Sequence, residues 1–218
     1  MKNFFRKVAF GIGPNEDVPS DPLNWALKQV DEVPNLSWTG RLLPEKELRG
    51  HYRDWVYNDR KILRKKYKDN KTLYKINRDL LRHKTGQKFW ESLEITVRHN
   101  EAINSNNPVL AKLWMFWGNF FTISDKDFLA NYSTGPYQRE IIRPNLNQTF
   151  EKMVYDVTTS WAMIHHLDNS ESAGPKSESA KSEWRKKKKE PATINENHAR
   201  ELLELHTVSP NSGYTQED

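Results

Sequence analysis

The stretch that decides the fold is N-P-V-L-A-K-L-W-M-F-W-G-N-F-F, residues 107–121. It starts at Asn107-Pro108, because proline is accepted in the first turn of a helix. From Val109 to Phe121 the side chains are apolar on nearly every face, which predicts a buried helix at the centre of the fold. Asn119 is the polar exception near the C-terminal end of this stretch. Because a buried amide needs hydrogen-bond partners, Asn119 is either a structural hub, which we favour, or part of a site.

The segments around this helix also carry helical spacing. Apolar residues recur at intervals of three and four in Pro44–Tyr67 and again in Thr72–Ala102, with a break at Gly86. Asp21 and Pro22 predict the cap and first position of an earlier short helix. No alternating strand pattern of useful length occurs. The predicted fold class is therefore all-α: an irregular multi-helix domain with a buried central helix and a disordered basic loop.

Composition excludes several classes of function for these 218 residues. They contain no cysteine, so disulfides, thiolate nucleophiles and cysteine-based zinc sites are ruled out. No stretch approaches ~20 apolar residues, and the run Val8–Ile12 is too short for the core of a signal peptide. We therefore expect no membrane span and assign the cytoplasm by default. The net charge of +5 allows acidic partners without requiring them.

A shift in composition divides the chain near its C-terminal end. Residues 170–193 are rich in Ser, Glu and Lys and include the basic run Arg185–Lys189. We predict a helical domain over 1–169, a disordered insert over 170–193, and a signature helix and turn over 194–218 that packs on the helical domain. The basic run and the basic helices allow nucleic-acid binding, but interleaved acidic residues favour a solvated surface. Nucleic acid is therefore the less favoured partner.

The block from Asn195 to Asp218 holds the densest set of polar, potentially chemical side chains, and it opens with N-E-N-H-A-R-E-L-L-E-L-H-T, residues 195–207. Asn195 predicts the helix N-cap. At 100° per residue, the polar side chains of Asn197, Arg200, Glu201 and Glu204 share one face. Closing a long loop costs little additional entropy, so the segment before the insert is expected to meet this face. The candidate polar cluster consists of Asp168, Asn169, Asn195, Glu196, Asn197, Arg200, Glu201, Glu204 and His206.

Two interpretations of the cluster stay open. Its carboxylates, amides and imidazole are groups that hold a hard cation or position a water for hydrolysis. The favoured interpretation is a structural clamp in which Asp168 and Glu204 accept hydrogen bonds from a buried Arg200. In that clamp, Arg200→Ala should cost about 3–5 kcal/mol. No hydrolase motif or phosphate-binding loop is present, so no cofactor and no metal is predicted.

Several of these stretches resemble the family called domain of unknown function 1800. The family pattern is roughly L-D-N-x-x-S, then N-E-N-x-A-R-E-L-L-E-L-H-T-L-G, then G-Y-T-Q-x-D. The matching stretches here are residues 167–172, 195–207 and 213–218. Weaker matches are F-G-I-G-P at 10–14, F-W-G-N-F-F-T at 116–122 and Y-Q-R-E-I-I-R-P at 137–144. The chain carries Phe120 where the pattern has a histidine. It also lacks an A-R-x-x-T-G-W-like element, so it resembles an N-terminal half.

The resemblance implies no reaction, because the family's name records an unassigned function. Our preferred interpretation is a non-catalytic interaction or assembly protein with an unknown protein partner. Members of the family often sit beside sulfatase-like proteins, which makes such a protein the partner that the resemblance implies. The first alternative is a hydrolase-like or metal-binding enzyme that uses the polar cluster. The second is a nucleic-acid-binding protein that uses the basic helices and loop.

Overall fold

The computed structural model describes residues 2–12, 17–84, 86–124, 127–174, 176–178, 180–181, 194–215 and 217. Within these ranges all regular secondary structure is helical, which confirms the predicted all-α class. The chain divides into two compact units, residues 1–153 and 154–218. The basic run 185–189 lies outside the described residues, as does most of the predicted insert. No helix in the described ranges is long and apolar enough to cross a bilayer.

The α-helices of the first unit follow one another along the chain. They are α1 (Lys2–Val8), α2 (Pro22–Lys28), α3 (Glu45–Asp54), α4 (Arg60–Lys66), α5 (Lys71–Lys84), α6 (Gln87–Asn104), α7 (Pro108–Phe120) and α8 (Phe128–Pro136). A π-helical stretch, Trp55–Asp59, joins α3 to α4. The predicted helix over Pro44–Tyr67 is therefore confirmed as one continuous rod. After α8, a π-helical stretch (Tyr137–Ile142) and a 3-10 turn (Arg143–Asn145) follow.

The second unit is built from shorter pieces. Helix α9 (Phe150–Thr159) runs across the boundary between the units. It is followed by α10 (Trp161–His166), a 3-10 turn (Asn169–Glu171), α11 (Asn197–Glu201) and a π-helical continuation of α11 (Leu202–Thr207). The signature block thus forms one short helix whose second half is wound as a π-helix.

Local signals set the helix starts. Asp21 accepts a hydrogen bond from the backbone N–H of Asn24 at 3.0 Å, and Pro22 occupies the first helical position, as predicted. The predicted break at Gly86 separates α5 from α6. A more distant residue satisfies the start of α7. The side-chain oxygen of Gln29, directly after α2, accepts the N–H of Val109 at 3.1 Å. This bond ties α2 to the central helix.

Helix α7 is buried along one face. The buried residues are Val109, Leu110, Ala111, Trp114 and Gly118. On another face Phe116 and Phe120 are exposed, although the sequence there is apolar. Asn119 is also exposed. The premise of a buried amide at Asn119 is therefore wrong, because the helix turns that side chain away from its neighbours. The buried amide nearby is Gln138, whose Nε2 donates to the Gly118 carbonyl at 3.1 Å.

Candidate functional site

The two ends of the predicted insert meet in the second unit. Asp168 has a left-handed backbone (φ 57°), and the turn that follows it presents Ser172. The Ser172 hydroxyl donates to Asn169 Oδ1 at 2.9 Å and accepts the backbone N–H of Asn195 at 2.9 Å. Asn195 Nδ2 in turn reaches the Asp168 carbonyl at 3.4 Å. The two ends meet as predicted, with Ser172 as the bridging residue, but they meet at Asn195. The predicted hydrogen bond from Arg200 to Asp168 is wrong, because Arg200 donates to Asn197, Glu201 and Glu204 instead.

The same network continues along α11. The side-chain oxygen of Asn195 accepts the N–H of Asn197 at 3.0 Å. The N-cap position itself is Glu196, one residue later than predicted. Arg200 donates to Asn197 Oδ1 at 2.9 Å and to Glu204 Oε2 at 3.0 Å. Tyr214 donates its hydroxyl to the other oxygen of Glu204 at 2.9 Å. A single hydrogen-bonded relay therefore runs from the turn at Asp168 to the final turn at Tyr214.

The expectation of a buried Arg200 is wrong. Its side chain is 41% exposed, and its acceptors Asn197, Glu201 and Glu204 all come from α11 and its π-helical continuation. These acceptors lie within four residues of Arg200, so the guanidinium reaches them without leaving the helix surface. Exposed pairs of this kind stabilise by about 0.3–0.5 kcal/mol. The loss of about 3–5 kcal/mol expected for a buried pair therefore does not apply here.

A small pocket lies beside the relay. Its volume is about 210 Å³, and it is lined by Glu196, Ala199, Arg200, Leu203, Glu204, Tyr214 and Thr215. Two of its polar side chains, Arg200 and Tyr214, already donate to Glu204. In the described ranges, no group of three or more His, Asp or Glu side chains could hold a metal ion. The Glu204 carboxylate, which lines this pocket, is therefore already bound by Arg200 and Tyr214.

The signature histidines occupy less polar surroundings. His206 is buried, and burial is the main cause that lowers its pKa; the nearby Glu201 carboxylate opposes this shift. Burial also lowers the pKa of His198, against a hydrogen bond with the Thr158 backbone. In both residues burial disfavours the charged imidazolium form.

Sequence reasoning missed two ion pairs in the first unit. Arg139 binds Glu94 at 2.8 Å, with side chains 14% and 7% exposed. Arg143 binds Glu101 at 3.3 Å, and both side chains are buried. The arginines are four residues apart in Y-Q-R-E-I-I-R-P, and the glutamates are seven apart on α6. Spacings of four and seven residues each return to one face of a helix, but neither spacing identifies the other helix as the neighbour.

Further bonds hold each pair in place. Arg139 donates to the Leu43 carbonyl at 2.7 Å. Burial lowers the pKa of Arg139, but the hydrogen bond and charge of Glu94 outweigh it, and the pKa is raised overall. Glu101 accepts the backbone N–H and the hydroxyl of Ser37 at 2.9 and 2.7 Å. These acidic residues of α6 were expected on a solvated surface. Glu94 and Glu101 instead lie inside the fold, where they pair with Arg139 and Arg143.

An aromatic surface lies beside the exposed face of α7. We define it as Phe116, Trp117, Phe120 and Phe150. The rings of Phe116 and Phe120 are 6.3 Å apart and stacked, and those of Trp117 and Phe150 are 5.8 Å apart. Trp117 contacts the rings of both Phe116 and Phe120, at 5.0 and 5.4 Å. All four rings therefore form one continuous apolar surface, although Phe116, Trp117 and Phe120 belong to the helix that was predicted to be buried.

The bridging role of Ser172 makes a testable prediction. Ser172→Ala leaves the Asn195 N–H and the Asn169 side chain without their common partner, and we expect a loss of about 1–3 kcal/mol. The measurement is the free energy of unfolding from chemical denaturation. Ser212→Ala, at an exposed position in the same unit, is the matched control and should be nearly neutral. Equal effects of the two changes would contradict a bridging role.

The chain was compared with known protein families, curated proteins and solved structures. The model of the family described as Protein of unknown function (DUF1800) matches residues 4–218, and the chain belongs to this family. The resemblance drawn from the signature stretches is thereby confirmed. No curated protein and no solved structure matches the chain.

Proposed function

We propose that this member of the DUF1800 family is a non-catalytic interaction protein that binds a polypeptide partner through its aromatic surface. The observation that carries the proposal is the exposure of Phe116, Phe120 and Phe150, which is between 38% and 55%. Single exposed apolar side chains are ordinary in proteins. Rings that contact one another and still face solvent form a contiguous patch, and such patches mark sites of interaction.

The chemistry of this surface favours a polypeptide. The centres of protein interfaces are enriched in aromatic side chains and depleted of charge, and the four residues of the surface are aromatic and uncharged. A fully buried aromatic side chain removes about 150–250 Å² from water, and Phe116, Phe120 and Phe150 still expose between 38% and 55% of their surface. The occupant we propose is therefore a protein that presents an apolar face. A sulfatase-like protein is the first one to test, on the strength of the family resemblance.

The surface is also held ready for binding. Beneath it, the buried ring of Phe121 stacks on Trp117 at 5.8 Å and on Phe150 at 6.3 Å. Tyr137 donates its hydroxyl to the Phe121 carbonyl at 2.8 Å, which fixes the end of α7. Rings that are already ordered lose little freedom on binding, so more of the contact energy remains as affinity.

The signature residues support a structural role rather than turnover. Asn195, Asn197 and Glu204 are engaged with one another through backbone and side-chain hydrogen bonds. A general base or a metal ligand has to present free lone pairs to its substrate or ion. In this relay the same lone pairs hold the loop ends and the final turn together. The hydrogen-bonded residues of the block 195–207 then serve to hold the second unit together.

The test uses a photo-crosslinking amino acid placed in turn at 116, 120 and 150 in the host cell. We expect one and the same protein to be crosslinked from all three positions. Position 103, an isolated isoleucine that is 78% exposed, is the control and should give none of it. With the purified partner, Phe116→Ser combined with Phe120→Ser should weaken binding about 30-fold or more, as at other aromatic hot spots. Crosslinks no different from those at position 103 would overturn the proposal.

A further inference from the structure

The helical hairpin formed by residues 60–84 carries more positive charge than the whole chain. It consists of α4, a turn at 67–70 and α5. It contains eleven Lys and Arg against two Asp, a formal charge of +9, whereas the complete chain carries +5. The rest of the chain is therefore net acidic. None of residues 60–84 is buried, so this charge is presented to solvent.

The hairpin also exposes aliphatic side chains. Four of them are between 43% and 63% exposed: Ile62, Leu73, Ile76 and Leu80. The last three follow the helical spacing of three and four residues and form one stripe along α5. An exposed aliphatic stripe on a strongly cationic helix is typical of helices that lie in the interface of a membrane.

The arginines and lysines of the hairpin have different roles. Arg78 and Arg82 pair with Asp79 at 2.8 and 3.5 Å. Burial raises the pKa of the Tyr74 hydroxyl on α5, but Arg60 and Arg64 on α4 outweigh it, and the pKa is lowered overall. The seven lysines of the hairpin have no carboxylate partner within the described ranges. They are Lys61, Lys65, Lys66, Lys68, Lys71, Lys75 and Lys84. The arginines therefore act on groups within the hairpin, and the lysines remain available to an anionic partner.

We propose that this hairpin binds the surface of an anionic lipid bilayer. The lysines lie against the headgroups, and the stripe of Leu73, Ile76 and Leu80 enters the boundary with the acyl chains. The charge alone would attract any polyanion. The aliphatic stripe distinguishes among them, because nucleic acid is bound through phosphate contacts, base edges and aromatic stacking. Duplex DNA would leave the stripe in water, whereas a bilayer accepts both kinds of side chain.

The test is flotation of the full chain with vesicles of phosphatidylcholine containing about 30% phosphatidylglycerol, an anionic surface of ordinary strength. We expect binding to these vesicles and none to phosphatidylcholine alone. A variant with Leu73→Ser, Ile76→Ser and Leu80→Ser should reduce the partition coefficient about tenfold or more. Lys65→Glu with Lys68→Glu should reduce it by a similar factor. Because all five side chains are exposed, circular dichroism should show unchanged helicity for both variants.

Matched controls separate this surface from other charges and apolar groups. Ile103→Ser and Lys181→Glu change exposed positions outside the hairpin and should leave vesicle binding as it is. A duplex DNA probe tests the competing partner. The proposal is overturned if the vesicles are not bound, or if the serine variant binds them as the unmodified chain does. Tighter binding to DNA that is indifferent to the serine changes would also overturn it, and would identify the hairpin as a nucleic-acid surface.

Discussion

Arg139→Ala is expected to lower the free energy of unfolding by about 3–5 kcal/mol, the usual loss when one member of a buried ion pair is removed. Arg139 donates to both oxygens of Glu94, to Glu140 and to the Leu43 carbonyl. Without the guanidinium, the 7%-exposed Glu94 side chain loses its ion-pair and hydrogen-bond partner. The measurement is equilibrium urea denaturation of the full chain.

Two controls test whether the loss of unfolding free energy in Arg139→Ala comes from a buried ion pair. Arg41 and Glu47 form an exposed pair at 3.5 Å, so Arg41→Ala should cost less than about 1 kcal/mol. Glu94→Met combined with Arg139→Met removes both charges and should restore most of the stability, because an apolar pair of similar volume often replaces a buried ion pair without loss. If Arg139→Ala costs no more than Arg41→Ala, the pair does not contribute as a buried one.

The pair also shows where sequence reasoning ends. Arg139 and Glu94 are 45 positions apart, and Arg143 and Glu101 are 42 apart. Within α6 alone, the two glutamates stand among other polar residues and fit a solvated face. Only the tertiary neighbour turns them inward, and a single sequence contains no record of that neighbour. The helices themselves were predictable because their caps, breaks and apolar spacing are local.

The central helix α7 also shows what local sequence can and cannot predict. Its apolar composition correctly predicted a helix with a buried face, but composition does not say which face finds a neighbour. Phe116 and Phe120 remain exposed, and so does Asn119. Conversely, the meeting of the loop ends at Ser172 was predictable, because both ends belong to one family-like string. The prediction of a buried Arg200 failed, because acceptors within its own helix already bind its guanidinium.

The close approach of α6 and α8 leads to the second large effect. Gly135 lies in α8, and a Cβ built on it would collide with Cβ and Cγ of Glu94. These atoms are close to the backbone of α6, so no rotation of the Glu94 side chain can relieve the overlap. Two helices must then move apart at the position where Glu94 binds Arg139. Gly135 is therefore a packing residue, and its lack of a side chain is required.

Gly135→Ala is accordingly expected to destabilise the fold by about 1–3 kcal/mol or more, the range found for overpacked cores, even though alanine is the better helix former. Gly50→Ala is the matched control. Gly50 also lies within a helix, α3, but a Cβ there meets no atom within 4 Å among the described residues. Helix propensity alone then operates, and Gly50→Ala should stabilise by about 0.5–1 kcal/mol. Thermal and urea unfolding of both variants would show opposite signs. A stabilising Gly135→Ala would mean that α6 and α8 are not in contact at this position.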